Sequence, residues 1–332
     1  MSAMAAARPS AGDRFRRYAL RNASLLLSYL VLTVMGLYYV GYAAGHGQLS
    51  VFSVTSVFNN TMPLLVAAIG QTMVVLTGGI DLSVGSIIAL SNSLAAVHMQ
   101  DSAGSVLAWS GLILLIGAAT GATNGVLVAV GRIQPILVTL ASLSVWAGVA
   151  LFVLPQPGGA IPPGFTALLA GNAWQTVPAS AVVLGALIVF WILFRRTGLA
   201  VALYAVGNDE RSARANGVPV AAAKIAAYTL SGLFAALAGL YLSAVTTSGD
   251  ATTGGIYTLT SIAAVVLGGV SLFGGRGSAT GSMAGAFVLT LIVNILFFAN
   301  INPLLQEFFQ GLVLILAMAA SVLVNVVLGR TG

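Results

Sequence analysis

Runs of about 20 apolar residues recur along this chain, separated by short turns that carry nearly all of its charge, and no other feature restricts its possible folds so strongly. Hydrocarbon about 30 Å thick is crossed by roughly 20 residues rising 1.5 Å each, and only helices or closed barrels satisfy their backbone groups there. A barrel would alternate apolar and polar residues over strands of about 10, and these runs do not alternate. Charged residues make up 6% of the 332, and the mean hydropathy is +1.02. The expected fold is an all-α polytopic membrane protein.

Basic residues set the expected topology, because Lys and Arg collect on the cytoplasmic side. Arg8, Arg14, Arg16, Arg17 and Arg21 precede the first run at 23–40, so residues 1–22 read as a cytoplasmic tail before an uncleaved helix. Further runs follow at 62–77, 84–97, 106–130, 136–154, 177–194, 225–245, 259–272, 279–298 and 304–328. That makes about ten transmembrane helices in one domain over 23–330. With this count all 13 Lys and Arg fall inside and both termini are cytoplasmic, while Asp101 and Asp250 fall outside. The second and third runs are short, so either is expected to be broken or re-entrant, and Ser50–Asn60 reads as outer-face or interrupted helix. The proline- and glycine-rich stretch 155–174 reads as an external loop. Gly117, Gly121 and Gly125, and again Gly281 and Gly285, stand at the four-residue spacing that lets helices approach closely.

Several functions are excluded. The chain has no cysteine, and its two histidines, His46 and His98, have no metal-ligand spacing around them, so no metal site is expected. Basic residues sorted by membrane side, not gathered in one patch, argue against nucleic acid. No GxxxxGK[ST] loop occurs, so any ATP and its Mg would be bound by a partner subunit, with no cofactor or catalytic residue in this chain. Only Asp81, and near the tenth run Glu307, bring a carboxylate to an apolar segment, too few for a proton relay.

Asp81 lies between two apolar runs, after Gly78 and Gly79 and before Ser83. A carboxylate there is expected at a helix break, with Asp81 or Ser83 capping the third segment. Direct contact with a substrate is the other reading. Residues 263–272, which include Gly268 and Gly269, echo this passage with one gap, as a duplication would leave them.

The interval Arg195–Lys224 is the longest polar passage, and it reads as a cytoplasmic coupling loop. Asn208 is the expected N-cap of a short helix from Asp209 to about Asn216, with Glu210 paired to Arg214 and with Gly217 and Pro219 as the stop. So short a helix is marginal alone. Docking on a partner would explain it, and an ordinary solvated loop helix is the alternative.

Three passages, GGIDLSVGS at 78–86, AVGNDERSARANGVPV at 205–220 running on through 244, and SIAAVVLGGVSLFGGRGS at 261–278, resemble the permease family of ribose-type ABC sugar importers. The likeness runs from about the second segment onward. Glu210, Arg214 and Gly217 fall where that family keeps its coupling motif, although Arg211 and Ser212 replace the usual alanines. The resemblance implies a bacterial inner-membrane permease that imports sugar with alternating access. Its implied partners are cytoplasmic ATPase subunits on the loop helix, a second permease subunit (identical or paralogous), and an extracytoplasmic sugar-binding protein. It gives Asn208, Asp209, Glu210, Arg211, Arg214 and Gly217 a coupling role, and Gly78, Gly79, Asp81, Ser83, Gly268, Gly269, Gly274 and Gly275 a structural or gating one. Sugars offer hydroxyls and no charge, so Asn59, Asn60, Gln71, Asn92, Asn124 and Asn294 are pathway candidates, each also suited to an interhelical hydrogen bond. A self-sufficient secondary carrier or facilitative channel is the alternative function.

Overall fold

The computed structural model describes residues 23–173, 176–299 and 301–302, together with 305, 308, 309, 311, 312, 315 and 319. The expected N-terminal tail, Glu307 and most of the tenth run lie outside the described residues. Among the described residues, twelve named α-helices follow in order: α1 (Ala23–Gly45), α2 (Val51–Leu76), α3 (Val84–His98), α4 (Ala103–Ala129), α5 (Pro135–Val153), α6 (Pro163–Ala170), α7 (Ala179–Phe194), α8 (Gly198–Asn208), α9 (Glu210–Ala215), α10 (Val220–Thr246), α11 (Ile256–Leu267) and α12 (Ala279–Phe298). The first nine apolar runs all fall on helices. Six of these helices, α1, α2, α4, α5, α10 and α12, are long and apolar enough to cross a membrane, and α7 with α8 forms a bent pair angled at 74°. The third and eighth runs form the shorter α3 and α11.

Two stretches differ from the sequence expectation. Ser50–Asn60 is not an interruption of the helix, because Ser50 caps α2 and the helix runs on unbroken to Leu76. The Ser53 N–H donates to Ser50 Oγ at 3.1 Å and the Ser50 N–H to Ser53 Oγ at 2.9 Å, a reciprocal pair that satisfies two otherwise orphaned donors. The loop at 155–174 holds α6, started by Pro163 in the first helical turn, where a missing N–H costs nothing. A ribbon of β1 (Asn172–Ala173) and β2 (Val177–Pro178) follows it. Asn59 Nδ2 donates to the Ala170 carbonyl at 2.6 Å and Tyr241 Oη to that of Leu169 at 2.5 Å, fastening α6 to α2 and α10.

The core is built around α2 and α10, which are mostly buried, while α1, α5 and α7 turn exposed apolar side chains such as Leu37, Phe152 and Leu193 outward. The glycine stripes make this packing possible. A methyl group on Gly121 would lie 2.1 Å from the Tyr228 carbonyl oxygen of α10, and one on Gly285 would lie 2.1 Å from that of Ala264 on α11. Only glycine admits such backbone contact, as the four-residue spacing led us to expect.

The connections gather at two ends. At one end the Gly158 and Gly249 backbones pair, the Ala160 N–H reaches the Ala96 carbonyl at 3.1 Å, and the Asp250 N–H donates to Asn92 Oδ1 at 2.7 Å. At the other, the ends of α2 and α8 meet the turn between α11 and α12, where the Gly275 N–H donates to the Leu76 carbonyl.

Candidate coupling site

Two helices end in the same way. At the end of α2 the Gly78 N–H donates to the Val75 carbonyl at 2.9 Å and the Gly79 N–H to that of Val74 at 3.2 Å, with Gly78 at φ +79°. At the end of α11 the Gly269 N–H donates to Val266 at 2.9 Å and the Val270 N–H to Val265 at 3.1 Å, with Gly269 also at φ +79°. Both are Schellman caps, in which a left-handed glycine turns the chain away while two terminal carbonyls stay satisfied. Gly78 is thus the counterpart of Gly269, and residues 74–78 match 265–269 without a gap. The gap in the sequence echo falls after the glycine.

The polar passage before α9 contains α8, a helix the sequence reading passed over because its 11 residues are too few for a crossing. Thr197 caps it, accepting the Ala200 N–H at 3.2 Å. Tyr204 Oη donates to the Gly277 carbonyl at 2.7 Å, and Trp191 Nε1 at the end of α7 donates to Ser278 Oγ at 2.9 Å. These bonds hold α8 against the α11–α12 turn, and Gly207 brings it down on both breaks. A methyl on Gly207 would stand 1.9 Å from the Leu76 oxygen and 2.5 Å from the Gly275 nitrogen. The Gly275 N–H itself bonds the Leu76 carbonyl at 3.0 Å, and a methyl on Gly274 would meet Gly207 Cα and the Gly78 nitrogen, each at 2.9 Å. Backbone from three distant parts of the chain therefore meets with no side chain between.

The short helix expected in this interval is present, one residue displaced from expectation. Asn208 is the last residue of α8, so the N-cap of α9 is Asp209, whose Oδ1 accepts the Ser212 N–H at 2.7 Å. That backbone bond, foremost among several causes, holds the Asp209 carboxyl below the usual carboxylate range. The helix is shorter than expected, Glu210–Ala215, and ends through Asn216 into Gly217 at φ +80°. Glu210 Oε1 accepts from Arg214 at 3.2 Å as anticipated, while its Oε2 accepts from Lys224 Nζ at 2.6 Å, a pairing across 14 positions that local spacing does not reveal. The hydrogen bond from Lys224 is the main cause that lowers the Glu210 carboxyl pKa. Arg211 stays exposed and has no ion pair among the described residues.

Asp81 is fully buried between the first break and α3. Its Oδ1 accepts the Ser83 N–H at 3.0 Å and Ser83 Oγ at 2.6 Å, its Oδ2 accepts Ser231 Oγ of α10 at 2.8 Å, and Asn124 of α4 donates to Ser83 Oγ at 3.0 Å. With its amide turned to suit its neighbours, Gln71 of α2 pairs with both the Asp81 carbonyl and the Asp81 N–H. Ser83, the N-cap residue of α3, makes no side-chain capping bond, and Asp81 bonds Ser83 itself, so neither caps the N–H groups of the first helical turn. Asp81 thus binds α10 through its carboxylate, α2 through its backbone and α4 by way of Ser83, and both carboxylate oxygens accept bonds within the protein.

The other polar candidates divide. Gln71, Asn92 and Asn124 are spent on bonds within the protein, Asn92 Nδ2 on Ser243 Oγ at 2.9 Å and on the Ser248 carbonyl, while Asn59 donates to Ala170 and its buried Oδ1 has no partner among the described residues. Asn294 bonds only the Thr290 carbonyl of its own helix. Asn60 is exposed and, among the described residues, bonds only Ser56 one turn earlier.

Residues 53–318 match the family model described as branched-chain amino acid transport system / permease component. The chain is 36% identical over 279 residues to the ribose import permease protein of Escherichia coli K12, covering 80% of this chain and 85% of that one. It is 38% identical over 259 residues to the ribose import permease protein of Bacillus subtilis, covering 76% and 79%. To the autoinducer 2 import system permease protein of Yersinia enterocolitica it is 34% identical over 266 residues, covering 79% and 72%. No solved structure matches the chain.

Proposed function

The chain belongs to the branched-chain amino acid transport system / permease component family, and on that premise we propose that it is the membrane permease of an ATP-driven sugar importer. The observation that carries this reading is the backbone junction of Gly207 with Leu76 and Gly275, which gives an outside motor a direct mechanical path into the membrane helices. The motor is a separate ATPase subunit seated on α9, since this chain has no phosphate-binding loop. A second permease subunit completes the pathway, and an extracytoplasmic binding protein delivers the sugar. The relatives named for ribose import support the sugar class.

The protein resides in the inner membrane as a multi-pass chain. We place α3 and α11 as short crossings enclosed by neighbouring helices, because irregular backbone at their breaks is tolerated only where protein surrounds it. Almost all of α3 is buried, which meets that condition. With residues 304–328 as the last crossing, about ten result, and the coupling loop and both termini face the cytoplasm.

One experiment tests both the orientation and the ATPase seat. In this cysteine-free chain, Ser212→Cys places a thiol on α9 and Gln156→Cys places one at the opposite end, both at exposed positions. An impermeant maleimide is expected to label Ser212→Cys only from the cytoplasmic side, and less when the ATPase subunits are bound. Gln156→Cys is expected to react only from outside. Reversed labelling contradicts the orientation, and Ser212→Cys labelling indifferent to the ATPase contradicts the seat.

A further inference from the structure

Arg132 stands in the α4–α5 connection, far in sequence from the coupling helix, yet both line one open cleft. The cleft, of about 620 Å³, is walled by Arg132, Glu210, Arg211, Arg214 and Ala215. Its one carboxylate is already engaged, with Glu210 Oε1 on Arg214 and Oε2 on Lys224. The neighbouring acid, Asp209, is committed to capping α9 through the Ser212 N–H. Arg132 and Arg211 are exposed and have no ion pair among the described residues. Nor is Arg132 on a slack tether. It holds φ +57°, and the Gly131 and Ile133 N–H groups on either side of it bond back to the Val126 and Leu127 carbonyls at 3.2 and 3.3 Å.

The acids of this face are therefore satisfied internally, and what it offers outward is guanidinium. Like charges gathered on a surface repel one another unless a complementary surface covers them. Arginine's planar fork suits paired bonds to a carboxylate. We propose that Arg132 joins α9 in one cationic docking surface that receives a carboxylate-bearing face of the cytoplasmic ATPase subunit. The α4–α5 corner then contributes a contact from outside the coupling segment, and Lys224 serves to keep Glu210 from competing for the arginines. This rests on the reading of the chain as a permease driven by a separate ATPase.

The test uses the full importer purified in lipid nanodiscs. The ATPase retained per permease is measured against salt concentration for the native chain and for Arg132→Glu, Arg132→Lys and Arg211→Glu, with thermal unfolding of each permease as the folding control. Arg132→Glu and Arg211→Glu are expected to weaken ATPase retention at least tenfold, with a flatter salt dependence. Arg132→Lys, which keeps the charge and loses the fork, should retain more ATPase than Arg132→Glu and less than the native chain, and all variants should unfold near the native temperature. Native-like retention and salt dependence in Arg132→Glu overturn the proposal while leaving the permease reading intact. The proposal is equally overturned if Arg132→Glu keeps the ATPase and instead loses stabilisation by phosphatidylglycerol relative to phosphatidylcholine, because the cleft would then seat a lipid headgroup. If the native chain retains no ATPase at any salt concentration, the permease reading itself fails and this surface with it.

Discussion

Gly207→Ala is expected to reduce ATP-driven uptake by about 5- to 150-fold, the range of a coupling free energy of about 1–3 kcal/mol, while ATP hydrolysis by the bound partner continues. The new methyl has no room, standing 1.9 Å from the Leu76 oxygen and 2.5 Å from the Gly275 nitrogen. Neither is the end of a flexible side chain that swings aside. Overpacking of this kind costs about 1–3 kcal/mol, and the cheapest relief is for α8 to lift from the two breaks. Tyr204 and Trp191 would still hold α8 near the α11–α12 turn, so the chain is expected to fold and to bind its ATPase. What it loses is the direct backbone link. Gly198→Ala, at the other end of the same helix, meets nothing within 4 Å and is the control expected to transport normally. Equal uptake by Gly207→Ala and Gly198→Ala, measured in vesicles that hold the complete importer, would show that the junction transmits nothing.

The second large effect is on stability. Asp81→Ala removes the acceptor for the Ser83 N–H, the Ser83 hydroxyl and the Ser231 hydroxyl, all in a fully buried site. Leaving a buried donor unpaired costs about 1–3 kcal/mol, so the three together are expected to lower the melting temperature markedly and to reduce the yield of folded protein. Asp81→Asn keeps one oxygen for the Ser83 donors, and its amide can donate to the Ser231 hydroxyl, which accepts as well as donates. It is expected to lose much less. Thermal unfolding of the detergent-solubilised variants distinguishes the roles of this carboxylate. If both variants are stable and both fail to transport, the charge itself takes part in transport, and its account as a structural tie is wrong.

Features governed by local chemistry were legible in the sequence, and those governed by distant contact were not. The glycine stripes at 117–125 and 281–285, the Glu210–Arg214 pair and the stop at Gly217 each depend on residues a turn or so apart, and each stands where it was expected. The first nine apolar runs fall on helices, the eighth only as far as Leu267. Asn208 and Asp209 show the limit of local reading. Both are good N-caps, and the choice between them was made by α8, whose last turn claims Asn208. That helix went unread because α8 combines an apolar stretch too short to span with a position inside a polar interval. Gly207, Lys224 and Arg132 were missed for a different reason. A glycine among 39 carries no mark of the backbone it will touch, and an arginine at a membrane edge is already explained by topology. Ser50–Asn60 was misjudged because Ser and Asn favour caps and turns, whereas here only Ser50 caps and the rest are helical.

The central claim is that this chain is a permease moved by a partner's ATP hydrolysis through the coupling segment, and uptake by purified components in vesicles tests it most directly. Vesicles of the permease with its ATPase and binding protein, supplied with ATP and a radiolabelled sugar that the binding protein holds, are compared with vesicles of the permease alone. Accumulation is predicted only in the first, and only when ATP and the binding protein are both present. Uptake by the chain alone, at a comparable rate and without ATP, would contradict the account and make it a self-sufficient carrier.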